Sequence, residues 1–271
     1  MLAAAPPALS LTNVNKIYVS RKGAAVQAIS GVSLNVRQNE VVAVVGPSGC
    51  GKSTLLKILG GLDEDYGGQI EWSLDDDGAG KRLRSATVFQ SDSTFPWMTV
   101  ERNLLVGLSG LALTREEKED RIRRYLALVG LSEFRSAFPH ELSGGMRQRV
   151  AIARALATEP HLLLMDEPLA ALDAQTRLVM QQELLRIWQK TNLTVIYITH
   201  DIGEALSLAH HVVVMTARPG RIKAIIDTPF GEERDLRALR RRPEFGALEM
   251  EIWQSVAEEV GQSLEGGAPG G

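Results

Sequence analysis

One cysteine, Cys50, stands among 271 residues. Alone it closes no internal disulfide and completes no structural zinc site, which points to a reducing compartment. Long apolar runs are also missing. The longest, such as Val41–Val45 and 162–165, fall well short of the ~18 residues a membrane span needs. The N-terminal stretch MLAAAPPALS has no basic region and carries two prolines, so it makes a poor signal peptide. Neither sign of charge dominates. Thirty basic against thirty-three acidic side chains leave −3, which supplies no general drive toward nucleic acid. Solenoid repeats and sustained heptads are missing as well. These gaps exclude secreted, fibrous and integral-membrane classes. What is present is an ordinary globular mix, 44% hydrophobic and 23% charged. It is long enough for one large domain with an appendage, and for a core that needs no covalent staple.

Short runs rich in β-branched residues recur at 41–45, 86–89, 162–165, 194–199 and 212–216. Such unbroken runs predict strands covered on both faces, as in a mostly parallel sheet. Helical patterns lie between them. One follows Lys52 and stops at Gly60-Gly61. Another opens on the capping box Thr114-Arg115-Glu116-Glu117, carries Ile122, Tyr125, Leu126 and Val129 on one stripe, and ends at Gly130. From about 92 to 157 the pattern is helical without a clear strand, which predicts an α-helical subdomain set into an α/β core. After Asp227 comes a basic run, 234–242, expected as a solvated face. Pro243 then opens an amphipathic helix striped by Phe245, Leu248, Ile252, Val256 and Val260. The acidic turn 75–78 reads as a solvated loop, and the glycine-rich 266–271 as a disordered end.

Three stretches carry chemistry. Gly46, Pro47, Ser48, Gly49, Cys50, Gly51, Lys52, Ser53 and Thr54 fit GxxxxGK[ST], with a strand before and a helix after. Glycines let backbone N–H groups close round a β-phosphate. Lys52 reaches the β- and γ-phosphates, and Ser53 can ligate Mg²⁺. Cys50, among amides and near Lys52, is expected here as a low-pKa thiolate. The run 162–165 ends in Asp166 and Glu167, which places one acid near Mg²⁺ and the next where it can polarise a water. Ser143 caps a helix that opens on Gly144-Gly145, a second exposed helix N-terminus suited to an anion. His200 follows a strand directly, at the strand end where ligands bind in open α/β sheets.

The ordered set GPSGCGKST, Gln90, LSGGMRQ, LLLMDEP, Ala171-Leu172-Asp173 and His200 resembles the ATP-binding cassette (ABC) ATPase family over roughly residues 9–227. The resemblance implies a P-loop α/β core with a mostly parallel sheet, an antiparallel β portion and the inserted helical subdomain. It implies an ATPase domain at 9–230 and a short helical tail at 231–271. ATP and Mg²⁺ are the implied ligands. Ser53, Gln90 and Asp166 would hold the metal, Glu167 would be the general base, and His200 would brace the γ-phosphate. Ser143, Gly144, Gly145 and Gln148 would belong to the signature that grips nucleotide on the other subunit, and Asp173 would link the two sites. Tyr18 fits the aromatic that stacks on adenine. A head-to-tail dimer with a second copy follows, since the signature cannot reach its own phosphate loop.

The implied function is the ATP-hydrolysing subunit of a membrane transporter, peripheral on the cytoplasmic face of the inner membrane. The stretch Pro96-Trp97-Met98-Thr99-Val100 and the tail with Pro243-Glu244-Phe245 resemble the nitrate/sulfonate/taurine branch of bacterial importers. Separate permease subunits would dock near Phe95, Pro96, Trp97 and Met98, and a solute-binding protein would take part indirectly. The alternative is a soluble ABC ATPase that moves no solute, such as a cluster-assembly ATPase.

Overall fold

The computed structural model describes residues 7–20, 23–72, 85–90, 94–191, 193–231 and 234–266, with side chains to 261. The acidic turn 75–78 and residues 267–271 lie outside the described residues. Two compact units emerge, one from Met1–Leu83 with Thr194–Gly271, the other Arg84–Leu193.

The first unit holds two sheets. In one, β1 (Leu9–Val19) lies between β2 (Ala25–Val36) and β4 (Gly67–Trp72), antiparallel to both. Burial along β1 alternates over much of its length, as in a sheet with one covered face. In the other, β3 (Val41–Val45) lies parallel to β7 (Thr194–Ile198) on one side and to β8 (His211–Met215) on the other. β9 (Ile222–Asp227) closes that run antiparallel to β8. Every residue of β3 and β7 is buried, which is why these strands read as continuous apolar runs rather than as an alternation. Helix α1 (Lys52–Leu59) leaves β3 through a tight loop and ends where the Gly60 N–H bonds to the Leu56 carbonyl, followed by left-handed Gly61.

The second unit pairs β5 (Ser85–Val88) with β6 (Leu162–Asp166) in parallel. Between them run α2 (Val100–Gly107), α3 (Arg115–Leu128), two short 3₁₀ turns and α4 (Gly144–Ala157). No strand occurs among the described residues from 94 to 157. The capping box forms: the Thr114 hydroxyl accepts from the Glu117 N–H at 3.2 Å, and the Glu117 carboxylate from the Thr114 N–H at 2.6 Å. Ile122, Tyr125, Leu126 and Val129 are all buried. α5 (Ala174–Thr191) follows β6.

Back in the first unit, α6 (Ile202–Leu208), α7 (Leu236–Leu239) and α8 (Pro243–Gly266) complete the chain. Two expectations need correcting here. Arg234 is buried, donating to the carbonyls of Ser207 and Ala209 at 3.0 and 2.9 Å, so the basic run is not solvated throughout. Val260 is exposed, while Glu259 takes the buried place in the α8 stripe beside Phe245 and Ile252. The charge is tolerated there because Lys223 pairs with it at 2.9 Å.

Candidate functional site

In the first unit the loop after β3 leaves the start of a helix open to an anion. Gly51 is the N-cap of α1 and offers no side-chain cap, so the first N–H groups of that helix stay available to a ligand. Its φ of +103° and the 2.8 Å that would separate a Cβ from the Ala28 carbonyl oxygen admit only glycine. Lys52 is buried and donates to the carbonyls of Gly46 and Pro47 at 2.8 and 3.0 Å. Its ammonium is thus held over the loop's mouth. Ser53 is exposed one residue into the helix. Cys50 corrects the sequence reading: it is 1% exposed, and burial pushes its thiol up from the ordinary value against the pull of Lys52. Desolvation of a thiolate outweighs one nearby ammonium.

His200 stands exposed two residues past β7. β7 pairs in parallel with β3, Ile198 opposite Val44, and the Thr199 N–H reaches the Val44 carbonyl at 3.3 Å. The histidine therefore shares one sheet edge with the phosphate-type loop. Asp201 is not free for chemistry, because its carboxylate caps α6 at the Glu204 N–H, 2.8 Å away. Tyr18 is the penultimate residue of β1 and is partly exposed. Its hydroxyl donates to Asp63 at 3.0 Å, and the Lys16 ammonium lies 4.9 Å from the ring centroid while pairing with Asp63 at 2.7 Å. That pairing holds the Asp63 carboxyl below its usual range and Lys16 above its own. The tyrosine is therefore a braced, accessible platform; the two charges bracing it gave no signal in the sequence.

In the second unit Gln90 and Glu167 stand past the ends of paired strands, Val88 opposite Met165. The Gln90 amide donates to the Glu167 carboxylate at 3.2 Å. Glu167 sits at φ +45°, a left-handed conformation that costs a side-chain-bearing residue about 1 kcal/mol or more. Asp166 ends β6, half-buried. Amide and carboxylate oxygens at Gln90 and Asp166, like the Ser53 hydroxyl of the first unit, are by type hard donors of the kind Mg²⁺ takes. With its amide N–H on Glu167, Gln90 keeps a carbonyl oxygen for that purpose.

Ser143 caps α4, accepting from the Met146 N–H at 3.3 Å, and Gly144 beside it is exposed. Gly145 is buried, and a Cβ there would lie 2.9 Å from Thr176 Cγ2. Gln148 is only 8% exposed, which withdraws it from the surface that Ser143 and Gly144 present. Asp173 acts as a helix cap: its carboxylate accepts from the N–H groups of Gln175 and Thr176 at 3.1 and 3.0 Å, and the Thr176 side chain together with these N–H groups lowers its pKa. The segment 95–98 leaves Trp97 68% exposed, its ring 5.8 Å from that of Phe95. Asn103, fully buried on α2, fastens this segment from beneath. It accepts from the Phe95 N–H at 2.7 Å and donates to the carbonyls of Phe95, Met98 and Thr99 at 3.0–3.2 Å. Its one sequence signal is a polar residue on the apolar stripe of α2. A cavity of about 630 Å³ in this unit, bordered by Tyr125, Leu156, Glu159 and Arg186, includes none of these residues.

Residues 29–170 match the family model described as ABC transporter. The chain is 44% identical to a taurine import ATP-binding protein of Rhizobium johnstonii over 251 residues, 90% of this chain and 94% of that protein. It is 42% identical to an aliphatic sulfonates import ATP-binding protein of Bacillus cereus over 224 residues, 81% and 85% of the two chains. Among solved structures it resembles a dimeric post-hydrolysis ATP-binding cassette bound to ADP and phosphate. There the TM-score is 0.66 at 33% identity, over 81% of this chain and 98% of that one.

Proposed function

The chain belongs to the ABC transporter family of ATP-hydrolysing subunits, and from that premise we propose that it drives import of taurine- or sulfonate-like solutes through separate permease subunits. The observation that carries the hydrolytic reading is the Gln90–Glu167 pair at the ends of parallel strands, with Glu167 held in a left-handed backbone. Both relatives' names support import. Among the described residues no helix is long and apolar enough to cross a membrane. The reading therefore assigns the membrane path to partners and this chain to the cytoplasmic face, with 9–230 as the ATPase domain and 231–271 as its tail.

In this mechanism the amides of 46–54 and the Lys52 ammonium hold the β- and γ-phosphates, and Tyr18 stacks on the adenine. Ser53, Gln90 and Asp166 would hold Mg²⁺, which would neutralise phosphate charge when bound. Gln90 orients the Glu167 carboxylate by its 3.2 Å bond, and Glu167 accepts a proton from the attacking water. His200 braces the γ-phosphate. The Ser143–Gly144 end of α4 meets the nucleotide of a second copy, and Asp173 ties the two sites together, in a closed two-fold dimer. Trp97 and its neighbours dock the permease.

Glu167→Gln tests this. Glutamine keeps the size but cannot take the proton, so hydrolysis should fall by ~10²–10⁴-fold while MgATP still binds. The variant should run as a dimer with MgATP and as a monomer with MgADP in light scattering. Adding Gly144→Asp, whose Cβ has room 3.7 Å from Leu172, should abolish that dimer by repelling phosphate. Hydrolysis at the parent rate would remove Glu167 from its role. A variant that binds ATP and stays monomeric would remove the two-fold arrangement.

A further inference from the structure

The cavity of about 630 Å³ in the second unit is bordered by the C-terminal parts of α3, α4 and α5, and none of its lining residues belongs to the nucleotide site. Its size is that of a small-molecule site, ~300–1,000 Å³. Tyr125, Leu156 and Pro160 are buried and give it an apolar base. Arg124, Glu159, Arg186 and Lys190 line it too, three cations to one acid. That acid is already committed. Glu159 pairs with Arg124 and, at 2.6 Å, with Arg121. Arg186 and Lys190 are exposed, and neither side chain has an ion-pair or hydrogen-bond partner among the described residues. Four residues apart on α5, they share one face, where like charges repel. Lys190 lies in the last turn, where the helix dipole favours a cation; Arg186 lies a turn earlier and lacks that explanation. Each of the three helix ends carries about half a negative charge. Four cations against these ends and one carboxylate still leave the cavity positive.

We propose that this cavity binds a small organic anion, one with an apolar body and a single carboxylate, sulfonate or phosphate head held by Arg186 and Lys190. The Arg186 guanidinium offers a planar fork to two oxygens, and Lys190 adds a point charge beside it. The body lies on Tyr125, Leu156 and Pro160, out of water. An inorganic anion leaves that base uncovered, and a neutral apolar molecule leaves both cations unmet, so the site favours a ligand that carries both parts. The Glu159 carboxylate lines the same space and repels a second anionic group. A single head is thereby preferred to a polyanion such as ATP. An occupant in contact with all three helices binds the folded chain alone and stabilises it. This inference does not rest on the hydrolytic reading, because the two sites share no residue.

Isothermal titration calorimetry of the full chain without nucleotide, with octane-1-sulfonate as the probe, tests this. The expected result is one site per chain with Kd ~0.1–1 mM, ordinary for a ligand of about a dozen non-hydrogen atoms. Arg186→Gln with Lys190→Gln should weaken it at least ~10-fold. Both side chains are exposed and unpartnered among the described residues, so the Tm of the free double variant should match the parent's. Ala127→Trp, at an exposed residue on the cavity's border, should block binding without altering charge. Inorganic sulfate and octan-1-ol, each with one part of the probe, should bind at least ~10-fold more weakly. Lys52→Met should bind the sulfonate as the parent does. Absence of saturable binding up to ~10 mM overturns the proposal. So does binding that Lys52→Met or added MgATP abolishes, which places the anion in the phosphate loop. Binding that survives both the double variant and Ala127→Trp overturns it as well, because the probe then sits elsewhere. A chain that sediments with phosphatidylglycerol vesicles through Arg186 and Lys190, yet ignores the free sulfonate, assigns the two cations to a lipid surface and overturns it too.

Discussion

Glu167 combines a left-handed φ of +45° with a carboxylate held by Gln90, so stability and chemistry are set against each other in one residue. Glu167→Gly should relieve the backbone, raising stability by ~1 kcal/mol and Tm by about 2 °C while ATP turnover is lost. Calorimetry beside a phosphate-release assay reads both halves. Asn103 poses the opposite case, a buried amide in four hydrogen bonds that touches no ligand. Asn103→Ala leaves the loop's N–H and carbonyls unmet and should cost ~2–3 kcal/mol, whereas Trp97→Ala should leave both stability and isolated ATPase nearly unchanged. On the proposed docking, Trp97→Ala weakens permease association about thirtyfold, measurable by co-purification titration; an isolated variant that unfolds would place Trp97 in the core instead. Cys50, buried with a raised pKa, should react with maleimide at neutral pH far more slowly than after denaturation, and more slowly still with MgATP. Fast labelling of the native chain would mean the loop opens.

Among the helices of the second unit, Arg135 is the latch. It reaches Glu101 on α2 at 2.7 Å and Glu119 on α3 at 2.6 Å, and its guanidinium holds both carboxyls below their ordinary range. A carboxylate whose folded value is depressed stabilises fully above the unfolded value, near 4.5 here, and that contribution is lost as pH falls through the folded values. The parent Tm should therefore drop more steeply than that of Arg135→Gln between about pH 5 and 3. Parallel curves in a thermal-shift series would show that the latch adds nothing. These pairs are partly exposed, so the separation should shrink in high salt.

For the whole molecule, nucleotide binding is a stability term. At about 100 times Kd a ligand that binds the folded chain alone adds ~2.7 kcal/mol, which for a chain of this size is roughly 5 °C in Tm. MgATP should produce that shift in the parent and in Glu167→Gln. Lys52→Met, which removes the ammonium over the loop, should show none. A shift that survives Lys52→Met would mean that the nucleotide binds elsewhere.

Local order was enough to reveal much of this protein. The phosphate loop, the Asp166–Glu167 strand end, the Ser143 cap and the capping box at Thr114 are each encoded within a few consecutive residues, because strand period, helix capping and glycine-rich turns depend on near neighbours. The five strands expected from apolar runs, β3 and β5–β8, fell within a residue or so of their bounds for the same reason. Contacts distant in sequence were not legible. Nothing near Tyr18 announces Asp63, nothing near Phe95 announces Asn103 as the clasp of its loop, and the pairing of Gln90 with Glu167 spans 77 positions. Burial was decided only by packing. It raised the Cys50 thiol where local amides and Lys52 pointed the other way, put Glu259 inside beside Lys223, and turned Val260 out with Met250 and Trp253. A thiol's charge and a helix's inward face depend on what the rest of the chain lays against them, and that is settled by the fold rather than by neighbours in the sequence.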